Sequence, residues 1–326
     1  MKIQDRRSLL TMVMALACAG TAQVSAADTF PTKPIRIIVT SAPGGSVDVT
    51  TRVVAKEMGD RLGQPVIIEN RVGAGGLVGI RAVKASPADG YTLLASVNTI
   101  AVQQAVSRDP GYDVAKDFVG IGPMTHAQFL LLAAPNAPDK TLPNWLSHAK
   151  VSPGTLTYAS AGNGSTTHLA AAMFAHSAGV SLQHVPYKGN SAAWPDLIAG
   201  RVGLLMEPYG SASAMLRSGQ LKALGSSGSR RLDLLPDVPT IAEQGAPGYS
   251  FYLWMGLFAP AATPKDVVQK VSEALAFALA KPELKKRFHD EGSEVMTMSS
   301  DEFTRFVRDE ASSLTKLVND LALPRE

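Results

Sequence analysis

Polar and apolar positions along this 326-residue chain repeat one unit: an apolar run, a glycine-rich bend, then a segment of helical period. Ile35-Arg36-Ile37-Ile38-Val39 is β-branched and nearly continuous, the pattern of a buried parallel strand. It leads through Ser41-Ala42-Pro43-Gly44-Gly45 into a helix reaching about Leu62, with Val47, Val54, Met58 and Leu62 on roughly one side and Gly63-Gln64-Pro65 as its stop. A strand over 66–69, the bend Gly73-Ala74-Gly75-Gly76 and a helix over 77–85 repeat the unit, and a third strand covers 91–95. Strands are expected at 118–122 and 129–134, the second as a crossing to another lobe. A helix follows around 145–149, then a strand over 155–159, the bend 160–167 and a helix over 169–178. Further on come a short strand at 184–188, a helix at 194–199, a strand at 202–206 ending on Glu207-Pro208, a helix at 210–218 and a strand at 221–224. A strand over 254–259 returns to the first lobe. Thr263 as N-cap with Pro264 at the first helical position opens a helix that turns Val267, Val268, Val271 and Leu275 inward. Ser299 and Glu302 form a capping box ahead of a last helix carrying Phe303, Phe306, Val307, Leu314 and Val318. Such alternation predicts an α/β fold with parallel strands.

The first residues follow a different pattern. A basic segment with Lys2, Arg6 and Arg7 precedes an apolar run over 9–19 and the small residues Val24-Ser25-Ala26. This is the plan of a secretory signal peptide over residues 1–26, cleaved after Ala26 or alternatively after Ala27. The run is shorter than the ~18 apolar residues that a membrane span requires. Cys18, the only cysteine, falls within it, so the mature fold is held by burial and not by disulfides. Removing residues 1–26 takes away Lys2, Arg6, Arg7 and Asp5 and leaves 28 basic against 27 acidic residues. That near-neutral balance, without a basic run or aromatic-basic interleaving, argues against nucleic acid as a partner.

Candidate chemistry sits at the glycine bends. The first, with Asp48 just inside its helix, offers helix amides that have no intrahelical acceptor and so suits an anion; the same residues serve equally as an unliganded turn. Gly162-Asn163-Gly164-Ser165-Thr166-Thr167 repeats the arrangement about 120 residues later and adds hydroxyl side chains. Two such loops are what a carboxylate-binding cleft between lobes would use. Ser96 and Asn98 follow the third strand, where α/β proteins hold ligands, although helix capping explains them as well. Lys188 could neutralise an anion, and Glu207 could accept from a ligand hydroxyl or ammonium. His168 reads as a residue behind the donors, since no metal-ligand spacing surrounds it. There is no Gly-x-Ser-x-Gly elbow, no complete P-loop and no requirement for a cofactor.

Taken in order, these motifs resemble a known family. Pro34 to Val39 with Pro43-Gly44-Gly45-Ser46-x-Asp48, Glu69-Asn70-Arg71 with Gly73-Ala74-Gly75-Gly76, and Pro87-x-Asp89-Gly90-Tyr91 are followed by Ser160-Ala161-Gly162-Asn163-Gly164, His184-Val185-Pro186-Tyr187-Lys188-Gly189 and Leu235-Pro236-Asp237-Val238-Pro239-Thr240. Over essentially its whole mature length the chain resembles the periplasmic substrate-binding proteins of tripartite tricarboxylate transporters, the family named for Bordetella uptake receptors. The resemblance implies a two-lobed periplasmic binding protein fold of type II topology, with lobe 1 from 27–130 and 254–326 and lobe 2 from 131–253. It implies a non-enzymatic periplasmic receptor that binds a di- or tricarboxylate, an acidic amino acid or an aromatic acid. A monomer that delivers its ligand to membrane permease subunits is expected. One ligand carboxylate would lie between the two glycine loops, and the other end would meet Ser96, Asn98, Tyr187 and Glu207.

Two positions depart from the family pattern. Thr40 and Ser41 stand where a proline and an aromatic residue are usual, and Leu205-Met206-Glu207 replaces the common Met-Phe-Asp. The longer Glu207 predicts a smaller or differently oriented ligand. Two other readings compete: a solute-binding protein that signals to a membrane sensor, and a secreted hydrolase acting on an anionic substrate.

Overall fold

The computed structural model describes residues 30–320 and 325. The expected signal segment, its cleavage site and Cys18 lie outside the described residues. Residues 30–32 fall outside the unit that carries the fold, which begins at Lys33.

In that unit β1 (Ile35–Val39) leads into α1 (Ser46–Leu62), β2 (Val66–Asn70), α2 (Leu77–Lys84), β3 (Thr92–Val97) and α3 (Thr99–Val106). Next come α4 (Val114–Asp117), β4 (Phe118–Ala133), α5 (Leu142–Val151), β5 (Thr157–Ser160), α6 (Thr166–Ser177) and β6 (Gln183–Pro186). They are followed by α7 (Trp194–Ile198), β7 (Leu204–Pro208), α8 (Tyr209–Arg217) and β8 (Lys222–Ser226). The chain then adds β9 (Tyr252–Pro260), α9 (Lys265–Ala280), α10 (Pro282–Asp290), β10 (Ser293–Val295) and α11 (Ser300–Asp320).

The strands run in the order β2-β1-β3-β9-β4-β7-β5-β6, with β8 and β10 also pairing β4. β1 lies parallel to β2 and β3, and β5 parallel to β6 and β7. β9 runs antiparallel between β3 and β4. One half-sheet gathers around β1 and the other around β5, which gives the bilobed α/β fold of type II topology.

β4 joins the halves. Where two strands were expected there is one of 16 residues. It pairs with β9 as far as Gln128 and with β7 from Phe129 onward. Gly122, Pro123 and the polar residues after them look like an interruption in sequence. The strand absorbs them as register shifts between Gly120 and Gly122 and between Pro123 and Thr125, where a residue lacking an N–H does no harm. At the crossing the Ser227 hydroxyl, fully buried, accepts from the Phe129 N–H at 2.8 Å and donates to the Phe251 carbonyl at 2.5 Å.

α11 closes the first lobe. Its Phe303 ring lies against Trp254 and Phe258, at centroid distances of 5.5 and 5.2 Å. Gly120 and Gly256 permit this approach, because a Cβ on either would stand 2.7 or 2.3 Å from the ring. The Ser299–Glu302 capping box is present, with the Ser299 N–H donating to Glu302 at 2.9 Å. Thr263 is not a cap: its hydroxyl donates back to the Pro260 carbonyl at 2.7 Å, and α9 starts after Pro264.

Candidate functional site

Both lobes line a cleft of about 740 Å³. The second lobe contributes the β5–α6 loop, residues 161–167, together with Tyr187 and Lys188. Ser165 is the N-cap of α6, its Oγ accepting from the His168 N–H, and it also donates to the Gly162 carbonyl at 2.7 Å. The amides of Thr166 and Thr167, at the first two helical positions, make no backbone hydrogen bond. Gly162 and Gly164 have φ of 126° and 61°, conformations open to glycine and costly for other residues. Gly164 also packs against Val106 of the first lobe, where a Cβ would come within 2.8 Å of a valine methyl.

The loop rests on a polar support. Thr167 Oγ1 accepts from the Ala161 N–H at 3.0 Å and donates to Asn190 Oδ1 at 3.1 Å. Asn190 Nδ2 in turn donates to Glu207 at 2.6 Å and to the Met206 carbonyl at 3.0 Å. Glu207 therefore lies behind Asn190, buried, and does not line the cleft. Burial raises its carboxyl above the usual range, against the pull of the Asn190 amide. On the opposite side of the loop, His168 Nδ1 accepts the Gly164 N–H at 3.1 Å. Desolvation, with a smaller contribution from His184, pushes His168 down to about 4 and keeps it a neutral acceptor.

The first lobe meets the cleft with Thr99, which follows the third strand beside Ser96 and Asn98, and with residues that sequence reasoning did not select: Ala74, Gly75 and Leu77 from the second glycine bend, and Val102, Gln103, Ser107 and Asp109 on or after α3. Two signals for them were present in the sequence, the Gly73–Gly76 bend and the i, i+3, i+4 spacing of Thr99, Val102 and Gln103 on one helix face.

The first glycine loop stands elsewhere. Ser41, Ala42, Pro43, Gly44 and Gly45 do not line this cleft. Gly44 N–H donates to Asp48 Oδ2 at 2.9 Å, and Asn70 Nδ2 holds Asp48 Oδ1 at 2.8 Å and the Ser41 carbonyl at 3.0 Å. The anion at this helix start is thus the chain's own Asp48, which Arg52 and these donors hold down at about 2 despite burial. Ser41 Oγ is buried without a hydrogen-bond partner. Ser96 is fully buried, donating to the Val97 carbonyl, and Asn98 precedes α3 with its Nδ2 on the Tyr252 carbonyl at 3.2 Å. Asn98 Oδ1 also accepts from Thr166 Oγ1 of the second lobe at 3.5 Å. The Tyr187 hydroxyl is committed to Asp196 at 2.7 Å, which leaves its ring for the cleft, while Lys188 is exposed and forms no ion pair among the described residues. No group of three His, Cys, Asp or Glu side chains that could hold a metal ion occurs among the described residues.

Comparison with known proteins identifies the family. The model of the tripartite tricarboxylate transporter family receptor matches residues 50–323. Protein BugT of Bordetella pertussis is 33% identical over 316 residues, which are 96% of this chain and 97% of that one. An adipate-bound protein of R. palustris superposes with a TM-score of 0.80 at 29% identity, covering 91% of this chain and 100% of that one. MatC from Rhodopseudomonas palustris, with bound malate, gives 0.77 at 32% identity, covering 89% of this chain and 100% of that one. This chain belongs to the tripartite tricarboxylate transporter receptor family.

Proposed function

We propose that this chain is a periplasmic receptor that captures a small carboxylate in the 740 Å³ cleft and hands it to the membrane permease of a tripartite transporter. As a member of a receptor family it is not an enzyme. The observation that carries the reading is the β5–α6 loop: two helix-start amides without a partner among the described residues, with Lys188, lining one cleft. Free amides and the helix dipole favour an anion without a metal or a fixed counter-charge. Asp109 on the opposite wall offers an acceptor, so a hydroxy or amino group on the ligand would be satisfied there. Malate and adipate in two relatives support a dicarboxylate as the first class to try. Closure would bend the chain at the two crossings, β4 near Phe129 and the Phe251–Tyr252 entry to β9, with Ser227 tying them together.

The test is a thermal-shift and calorimetric screen of protein unfolded and refolded free of any retained compound. The panel holds malate, succinate, adipate, citrate, aspartate and nicotinate, each beside its amide. A ligand that binds only the folded state at 100 times its Kd adds about 2.7 kcal/mol of stability. A rise for an acid and none for its amide is the expected result. No rise for any acid would overturn the proposal.

A further inference from the structure

A second cavity, of about 440 Å³, opens between α1, the β4–β9 pair and α8. None of the residues discussed above as ligand-binding lines it. Both lobes supply its walls, which places any occupant across the crossing strands.

Its lining is unusual in three respects. Thr50 of α1 and Thr125 of β4 are 6% and 2% exposed, both line the cavity, and neither hydroxyl makes a hydrogen bond among the described residues. Neither oxygen is sealed off from solvent, so both are open to a ligand oxygen entering the cavity. Arg217, at the end of α8, lines the cavity with no acidic partner among the described residues. Asp290 and Glu291 line the same cavity but are already paired with Lys286 and Arg287. Leu253 and Met255 supply apolar surface to the same lining, beside Ser46, Ser211, Ser213 and Ser293. The Tyr209 ring shuts one end, lying on Gly292, whose φ of 77° and missing side chain make room for it.

We infer that this cavity is a second ligand site, for a compact monocarboxylate that carries a hydroxyl or oxo group at the end away from its carboxylate. Arg217 meets the carboxylate with its planar fork, Leu253 and Met255 cover the body, and Thr50 and Thr125 pair with the far oxygen. The volume falls in the range of small-molecule sites, about 300–1,000 Å³. A di- or tricarboxylate is disfavoured, because Arg217 is the one cation among the described residues of the lining and a second charge would meet the Asp290 and Glu291 carboxylates or uncharged threonines.

Isothermal titration of the full chain with 4-hydroxybenzoate, benzoate and 4-hydroxybenzamide tests this. 4-Hydroxybenzoate is expected to bind, at least tenfold more tightly than either analogue. Arg217→Gln should weaken it at least tenfold. Thr125→Val should reduce it to the level of benzoate while leaving benzoate itself unchanged, a pattern that general destabilisation does not produce. Thr167→Val, in the other cleft, should leave 4-hydroxybenzoate binding intact. Absence of 4-hydroxybenzoate binding overturns the inference, as does binding indifferent to both Arg217→Gln and Thr125→Val. Loss of binding in Thr167→Val would move the ligand to the first cleft and overturn it too.

Discussion

The imidazole rings of His168 and His184 stack with centroids 4.0 Å apart and planes 8° from parallel. Tyr158 extends the stack, 5.0 Å from His184. Each ring also holds one end of the β5–α6 loop: His168 accepts the Gly164 N–H, and His184 Nε2 lies 2.7 Å from Ser160 Oγ. Because the Ser160 proton goes to the Gly162 carbonyl, His184 is the donor in its bond. Both roles suit neutral rings, and a proton on His168 would remove the acceptor for Gly164.

Stability should therefore fall on acidification through this pair. The unfolded chain protonates His168 near 6.5 and the folded chain only near 4, so the unfolded state gains protons first as pH drops across that window. Asn at position 168 retains an acceptor and does not titrate. Relative to wild type, His168→Asn should gain on the order of 1–3 kcal/mol between pH 7.5 and pH 4. Urea unfolding at both pH values checks this; a pH-independent difference between the two proteins would refute it.

Glu310 works in the opposite direction. It is half-buried against Trp254, whose Nε1 donates to it at 2.6 Å, and desolvation raises it to about 7. The unfolded chain loses this proton near 4.5, so the contribution is complete below that value and lost as pH rises to 7. Glu310→Gln should match wild type near pH 4 and exceed it at pH 8 by about 1–3 kcal/mol, read as a higher Tm. His168 and Glu310 thus offset one another in the wild-type profile, and the single variants should separate them.

Asp48 braces the first glycine loop and not the cleft. Asp48→Ala removes the acceptor for Gly44 N–H, Arg52 and Asn70 together and should cost about 2 kcal/mol at pH 7. The carboxyl sits at about 2 in the folded state against 3.8 unfolded, so the contribution is present above 3.8 and lost as pH falls toward 2. Denaturant midpoints at pH 7 and pH 2.5 should show the cost shrinking at the lower value.

Thr167 and Glu207 should separate affinity from ligand choice. Thr167→Val leaves the Ala161 N–H unpaired and Asn190 without its hydroxyl donor, and should weaken carboxylate binding about tenfold, with Thr167→Ser restoring it. Glu207→Gln keeps an acceptor for Asn190 behind the loop, so calorimetry should find the ranking of acids unchanged. A reordered ranking would return Glu207 to the ligand-contacting layer predicted from its length.

Local order was legible from residue pattern alone. The β-branched run of β1, the left-handed Gly63 stop of α1 and the Ser299–Glu302 box each depend on neighbours within a few residues, so periodicity and capping chemistry suffice to find them. The β5–α6 loop was legible for the same reason, since its glycines and N-cap serine lie in one stretch. Chain order also carried the family, because many short motifs recur in sequence.

What tertiary structure decided were relations between distant residues. The first glycine bend was read as an anion site, yet it is filled by Asp48 with Asn70, 22 positions away, while the second bend, which was not selected, lines the cleft. Glu207 looked like a cleft residue because it ends a strand. Asn190 from another segment covers it, and burial then raises its carboxyl. β4 looked like two strands because local preference penalises Gly122 and Pro123. Pairing with β9 on one lobe and β7 on the other supplies the long-range hydrogen bonds that override that preference and make one strand the link between lobes.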